Sequence, residues 1–181
     1  KCKANTLTAQ KGQITERDKQ LAASNAGYSL MDILIEYLND KQFENGLWNA
    51  EENYFAVNGL MKIGGVYGEA EVLMPRADKA VMAAMRAMTT DEEPSAVTDV
   101  YNTWYNVLNV IENIENCYSE GNESVDLALD VLYSKAAAAI AKTREKLALF
   151  LKQDGSFSYN QKTTSATSQG MPVAIPGTNE G

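Results

Sequence analysis

Apolar residues recur at helical spacing along most of the chain, from residue 12 to residue 152. Leu30, Ile33, Leu34, Tyr37 and Leu38, for example, fall at positions i, i+3, i+4, i+7 and i+8, which places them on one face of a helix. We therefore predict an all-α fold with helices near residues 15–24, 29–39, 52–63, 75–88, 95–118 and 124–152.

Turn-forming and capping residues set the predicted limits of these helices. Thr15 and Asp18 form an imperfect capping box, which predicts that the first helix begins there. Gly64 and Gly65 are predicted to end the third helix, because glycine is common just beyond a helix C-terminus. Pro75 suits the first position of the fourth helix.

The composition of the chain changes after the helical region, where Gly, Ser, Thr and Pro become frequent and no helical period survives. We divide the chain into a basic lead with a short helix (1–28), a domain of helix pairs (29–152) and an irregular segment (153–181). Because the sequence does not begin with Met and stops within a loop, we expect it to be a piece of a longer protein.

The chain has 24 acidic and 16 basic residues, a net charge of −8, and no histidine. An acidic surface repels phosphate, so we expect no nucleic-acid partner. Without histidine, the commonest general base and zinc ligand are absent from these residues. No apolar stretch is long enough for a transmembrane segment. Cys2 and Cys117 lie in no metal-ligand spacing, and the sequence implies neither a metal ion nor a cofactor.

A short motif follows two of the predicted helices. Residues 42–48 read Gln-x3-Gly-x-Trp, and residues 153–157 read Gln-x-Gly-x-Phe. The separation of the two glutamines fits two periods of about 55 residues, each holding two helices. Glycine permits a turn with positive φ, the aromatic ring packs on the preceding helix, and glutamine is expected to bond free amides at the next helix start. Repetition of this junction would arrange successive antiparallel helix pairs into an array or ring.

These two motifs resemble the QW-type repeat of the α/α-toroid proteins, which include terpenoid cyclases and the β-subunits of protein prenyltransferases. Polysaccharide lyases use related helical toroids. The resemblance implies a partial α/α toroid, in which the helices near 52–63 and 96–118 face a central cavity. The chain departs from these families in its chemistry, because it has no Asp-x-Asp-Asp motif, no Cys-Gly-Glu-Gln motif and no prenyltransferase set of zinc ligands.

A polar stripe runs along the predicted helix near 95–118. Asp99 and the asparagines that follow it recur at alternating spacings of three and four residues, although asparagine is a poor helix former. On a cavity wall they would supply amide donors and acceptors for sugar hydroxyls, with aromatic rings beside them for stacking. A solvated face, or amides that bond neighbouring loops, is the other interpretation. The candidate ligand-binding residues are Asp99, Tyr101, Asn102, Trp104, Tyr105, Asn106, Asn109 and Asn113.

Aromatic residues also surround the first junction. Trp48, Tyr54 and Phe55 are candidates for a sugar-stacking platform. Because the repeated junction already gives them a packing role, we expect them in the core.

These observations favour a binding or scaffolding module of a larger, exported bacterial protein that contacts carbohydrate through the asparagine stripe. The alternative is a catalytic toroid of the polysaccharide-lyase kind, whose active site is completed outside these residues. A purely structural helical domain is a third interpretation. The expected partners are a carbohydrate or another small ligand and the remaining domains of the parent chain. We expect an extracellular or cell-surface location, and a cytoplasmic location is the alternative.

Overall fold

The computed structural model describes residues 4–117, 122–153 and 155–161. Within these ranges the chain forms six helices and no strand, which confirms the all-α prediction. Cys2 and most of the irregular segment predicted for 153–181 lie outside them. The helices are α1 (Ala4–Ala23), α2 (Leu30–Lys41), α3 (Tyr54–Ala70), α4 (Ala77–Thr89), α5 (Val97–Cys117) and α6 (Glu123–Ala148).

The predicted start of the first helix is wrong, because α1 begins well before Thr15. Asp18 instead accepts hydrogen bonds of 2.7 and 2.8 Å from the amides of Leu30 and Met31, in the first turn of α2. The hydroxyl of Ser29 donates to the same carboxylate at 2.8 Å. Desolvation alone would raise the pKa of Asp18, but these bonds outweigh it and hold the pKa below its usual value. The carboxylate therefore ties α1 to the N-terminus of α2.

The predicted end of the third helix is also wrong, because α3 continues past Gly64 and Gly65. Val66 and Tyr67, which follow the two glycines, are fully buried. Burial of such side chains stabilises a helix by more than the roughly 1 kcal/mol that each glycine costs. Tertiary packing therefore decides the length of this helix.

The fourth helix begins after Pro75, so the prediction that proline takes the first helical position is wrong. Its N-cap is Arg76, with a left-handed φ of 53°. The sixth helix is continuous and ends before the predicted residue 152.

Helices α1, α3 and α5 form one layer. Hydrogen bonds join Lys11 Nζ of α1 to Gly65 O of α3 at 3.1 Å, and Thr15 Oγ1 to Glu69 Oε1 at 2.8 Å. Both bonds span 54 residues, so α1 and α3 run parallel. On the other side of α3 lies α5. Asn102, near the start of α5, bonds Asn58 of α3, and Asn113, near the end of α5, bonds Val72, just after α3. This order shows that α5 is parallel to α3.

Helices α4 and α6 form a second layer. Ser124 Oγ near the start of α6 donates to Asp78 Oδ1 of α4 at 3.1 Å. Lys146 Nζ near the end of α6 donates to Ala87 O of α4 at 3.4 Å. These two helices are therefore parallel as well, and the short connections 71–76 and 90–96 carry the chain between the layers.

The hydrophobic core lies between the layers and centres on α4. Eight apolar residues of α4 are at most 1% exposed, and five of them are alanines, which let neighbouring helices approach closely. Tyr67 of α3 and Phe150, just after α6, are the largest fully buried side chains. The eight residues of α4 are Ala77, Ala80, Val81, Ala83, Ala84, Met85, Ala87 and Met88.

Candidate ligand-binding pocket

Gln42 fastens the loop after α2 to the start of α4. The Gln42 side chain is 7% exposed. Its Nε2 donates to the carbonyls of Gly46 at 3.0 Å and Pro75 at 2.8 Å. Its Oε1 accepts a bond of 3.2 Å from Arg76. The expectation that Gln42 would bond free amides is therefore wrong, although it does connect the loop to the residues that precede α4.

Gly46 is required at this junction for two reasons. Its φ of +77° lies in the left-handed region, as predicted for the motif. A Cβ atom there would lie 2.3 Å from the backbone nitrogen of Ala80. The loop therefore contacts α4 through the bare backbone of a glycine.

The second junction has the same backbone turn as the first. In both loops the backbone amide of the residue three positions before the glycine donates to the carbonyl of the residue after the glycine, at 2.8 Å. The glycine amide donates in return to the carbonyl of that earlier residue, at 3.0 Å. Gly155 has a φ of +87°, close to that of Gly46. This correspondence aligns Phe157 with Trp48 but aligns Leu151 with Gln42. The exposed Gln153 is therefore not the structural counterpart of Gln42.

Trp48 contacts the C-terminal end of α2. Its Nε1 donates to the carbonyl of Leu38 at 2.8 Å, and its ring lies 5.8 Å from that of Tyr67. The Tyr67 hydroxyl donates to Asn39 Oδ1 at 2.8 Å. One face of Trp48 is thus held by the core, as the motif predicts, and the side chain remains half-buried because it also borders a cavity.

The cavity, which we call the aromatic pocket, has a volume of about 650 Å³ and lies between α1, the end of α2, the following loop and α3. This volume is within the range of small-molecule sites. Phe55, at the start of α3, is 78% exposed, so the prediction of a core position is wrong for it, whereas Tyr54 beside it is buried. The pocket is lined by Leu7, Tyr37, Leu38, Lys41, Phe43, Trp48, Asn49, Phe55, Ala56, Asn58, Gly59, Lys62 and Ile63.

Four of the lining residues are aromatic, and three of these are substantially exposed. Tyr37 is 52% exposed and Phe43 is 47% exposed, in addition to Phe55. Exposed apolar groups that surround one concavity are typical of binding sites, because a ligand removes them from water. Nothing in the sequence assigned Tyr37 and Phe43 to a site, since the pocket forms only when the loop folds back beside α2.

The asparagine stripe faces α3. Asn106 is 1% exposed, and its Nδ2 donates to Val57 O at 2.9 Å and to Asn102 O at 2.7 Å. Asn113 is also buried and bonds both Val72 O and the Met74 amide, at 3.0 and 2.9 Å. These two amides hold backbone segments together.

Asn102 connects the stripe to the aromatic pocket. Its Nδ2 donates to Oδ1 of Asn58, a pocket residue, at 3.1 Å. Asn109, farther along α5, is half-buried. Asp99 accepts bonds from the amides of Ser95 and Ala96 at the start of α5, and therefore acts as a cap.

The three aromatic site candidates of α5 occupy two environments. Tyr101 and Tyr105 are exposed and stacked, with ring centroids 5.7 Å apart. Trp104 is half-buried and donates from Nε1 to Thr143 Oγ1 of α6 at 2.8 Å. None of the three lines the aromatic pocket.

Comparison with known proteins gives no relative: no protein family, curated protein or solved structure matches the chain. Among the residues that the structure describes, no cluster of three or more Cys, Asp or Glu side chains could hold a metal ion. In the same part of the chain, no helix combines the length and apolar character needed to cross a bilayer.

Proposed function

We propose that this chain is a binding module of a larger protein and that its ligand is a carbohydrate held in the aromatic pocket. The observation that carries the proposal is the concentration of Tyr37, Phe43, Trp48 and Phe55 around one cavity of about 650 Å³. The partly exposed rings among them are available to a ligand.

The polar groups of the pocket fit the same class of ligand. A sugar presents C–H groups on its faces and hydroxyl groups around its edge. Aromatic rings pack against the faces, while the amides of Asn49 and Asn58 can each donate to and accept from hydroxyls. The Oδ1 of Asn58 also accepts the hydrogen bond of 3.1 Å from Asn102 Nδ2.

We also propose that the two helical layers are part of an α/α toroid. Parallel α1, α3 and α5 in one layer, and parallel α4 and α6 in the other, are the arrangement expected of repeated helix pairs. Bonded positions of α1 and α3 lie 54 residues apart, close to the period of about 55 inferred from the junctions, whereas those of α3 and α5 lie 44 to 49 residues apart.

Isothermal titration calorimetry with a panel of neutral and acidic oligosaccharides tests the binding proposal. We expect one or more to bind, and Phe55→Ala to weaken binding about tenfold or more, because a stacked aromatic ring is lost. The matched control is Tyr133→Ala on α6, which removes a ring that is 76% exposed and lies outside the pocket.

A second pair of variants tests the α5 face predicted from the sequence. Tyr105→Ala and Asn109→Ala leave the aromatic pocket intact. If they abolish binding while Phe55→Ala does not, the ligand lies on α5 and the pocket assignment is wrong. If no oligosaccharide binds, the carbohydrate proposal itself fails.

A further inference from the structure

The aromatic pocket is a cationic site in an acidic protein. The whole chain has eight more acidic than basic residues, since its net charge is −8. The pocket reverses this balance: two lysines, Lys41 and Lys62, line it, and no aspartate or glutamate in the described part of the chain does. An anionic ligand would therefore meet opposite charges on the pocket wall, whereas a cationic ligand would meet none.

Lys62 is the more available of the two lysines. It lies in the middle of α3, is half-buried, and forms no ion pair with another described residue. With no carboxylate of the described residues beside it, its ammonium group is available to an anionic group of a ligand. By contrast, Lys11, one turn of α1 beyond the pocket, is occupied by Gly65 O and by Glu69 at 3.8 Å.

Lys41 adds a second positive charge at the end of α2. Its Nζ lies 2.6 Å from the Asp40 carboxylate and 5.8 Å from the centre of the Tyr37 ring. Asp40 does not line the pocket, whereas Tyr37 does. The ammonium group therefore stands beside an aromatic wall, with its ion-pair partner outside the cavity.

We propose that the carbohydrate of the aromatic pocket is acidic and that Lys62, assisted by Lys41, binds its carboxylate or sulfate group. This inference rests on the proposed function, because it names the chemical class of the ligand at the same site. Aromatic rings contact the sugar faces, the asparagines contact hydroxyls, and the lysines distinguish charged from neutral sugars.

Matched ligand pairs test the charge preference. Oligogalacturonate and its methyl ester differ in the carboxylate charge, and a sulfated galactan oligosaccharide without uronic acid and its desulfated form differ in the sulfate. We expect the charged member of one pair to bind about tenfold more tightly, since hydrogen bonds to charged groups are the stronger kind. The pair that shows the difference identifies whether the recognised group is carboxylate or sulfate.

Lys62→Met should remove most of that preference and leave binding of the neutral member within about twofold. The matched control is Lys19→Met, which changes the net charge equally but alters a lysine paired with Glu16 outside the pocket. Neutral sugars that bind as tightly as acidic ones, or equal losses in Lys62→Met and Lys19→Met, overturn the inference and leave the carbohydrate proposal standing. Failure of every sugar to bind overturns both.

Discussion

The ammonium group of Lys146 on α6 donates a hydrogen bond of 2.6 Å to the hydroxyl of Tyr54 at the start of α3. Both side chains are buried, at 4% and 6% exposure. The ammonium also lies 4.9 Å from the Tyr54 ring centre and donates at 3.4 Å to the carbonyl of Ala87, near the end of α4. A single lysine therefore connects both helical layers, and no carboxylate of the described residues forms an ion pair with it.

This contact predicts a specific pH dependence of stability. Desolvation lowers the pKa of Lys146, so the folded protein releases this proton at a lower pH than the unfolded chain does. Between the lowered pKa and the ordinary value of 10.5, the unfolded state binds more protons, and stability gained from this group rises with pH. Urea unfolding of the parent and Lys146→Met from pH 8 to 10.5 should show the parent gaining stability relative to the variant. A constant difference would contradict the prediction.

Tyr67 predicts the opposite slope at higher pH. Burial raises the pKa of its hydroxyl, so the folded protein keeps a proton that the unfolded chain loses above about pH 10. Stability should therefore fall as the pH rises above 10, by less than about 1.4 kcal/mol per pH unit from this residue. Tyr67→Phe should reduce that slope and cost about 1 kcal/mol at pH 7, through loss of the bond to Asn39. An unchanged alkaline slope, measured by urea unfolding, would remove Tyr67 as its cause.

Gly46 and Gly155 offer a matched test of the junction. Both have positive φ, but only at Gly46 would an added Cβ meet backbone, 2.3 Å from Ala80 N. Gly155→Ala should therefore cost about 1–2 kcal/mol from backbone strain alone, and Gly46→Ala should cost at least 1 kcal/mol more. Thermal or urea unfolding measures the difference. Equal losses would show that the loop moves away from α4 without penalty.

The asparagine stripe can be tested one residue at a time. Asn113→Ala leaves the buried amide of Met74 without its partner, so we expect a loss of about 1–3 kcal/mol. Asn109→Ala removes a half-buried side chain and should cost less than about 1 kcal/mol. Chemical denaturation distinguishes the two. If Asn109→Ala is the more destabilising variant, the structural assignment of Asn113 is wrong.

Local pattern predicts the helices and the two junctions well. Periodicity places α2, α4 and α5 within a few residues of their observed limits, and the paired glycine motifs correspond to two turns with the same hydrogen bonds. The errors at Thr15, Gly64 and Pro75 share a cause. Each rests on the preference of a single residue for a helix end, and contacts with other helices outweigh such preferences of about 1 kcal/mol.

The sequence by itself determined the all-α class, the repeated junction and the acidic character, because periodicity, glycine spacing and charge are properties of neighbouring residues. Tertiary structure alone decided that Asn106 and Asn113 bond backbone, that Phe55 stays exposed while Tyr54 is buried, and that Lys62 shares a cavity with Trp48. Periodicity shows which residues share one face of a helix, but what lies opposite that face depends on packing between helices far apart in the chain. The aromatic pocket exists because the loop after α2 folds back beside α3, held there by Gln42 and the bare backbone of Gly46.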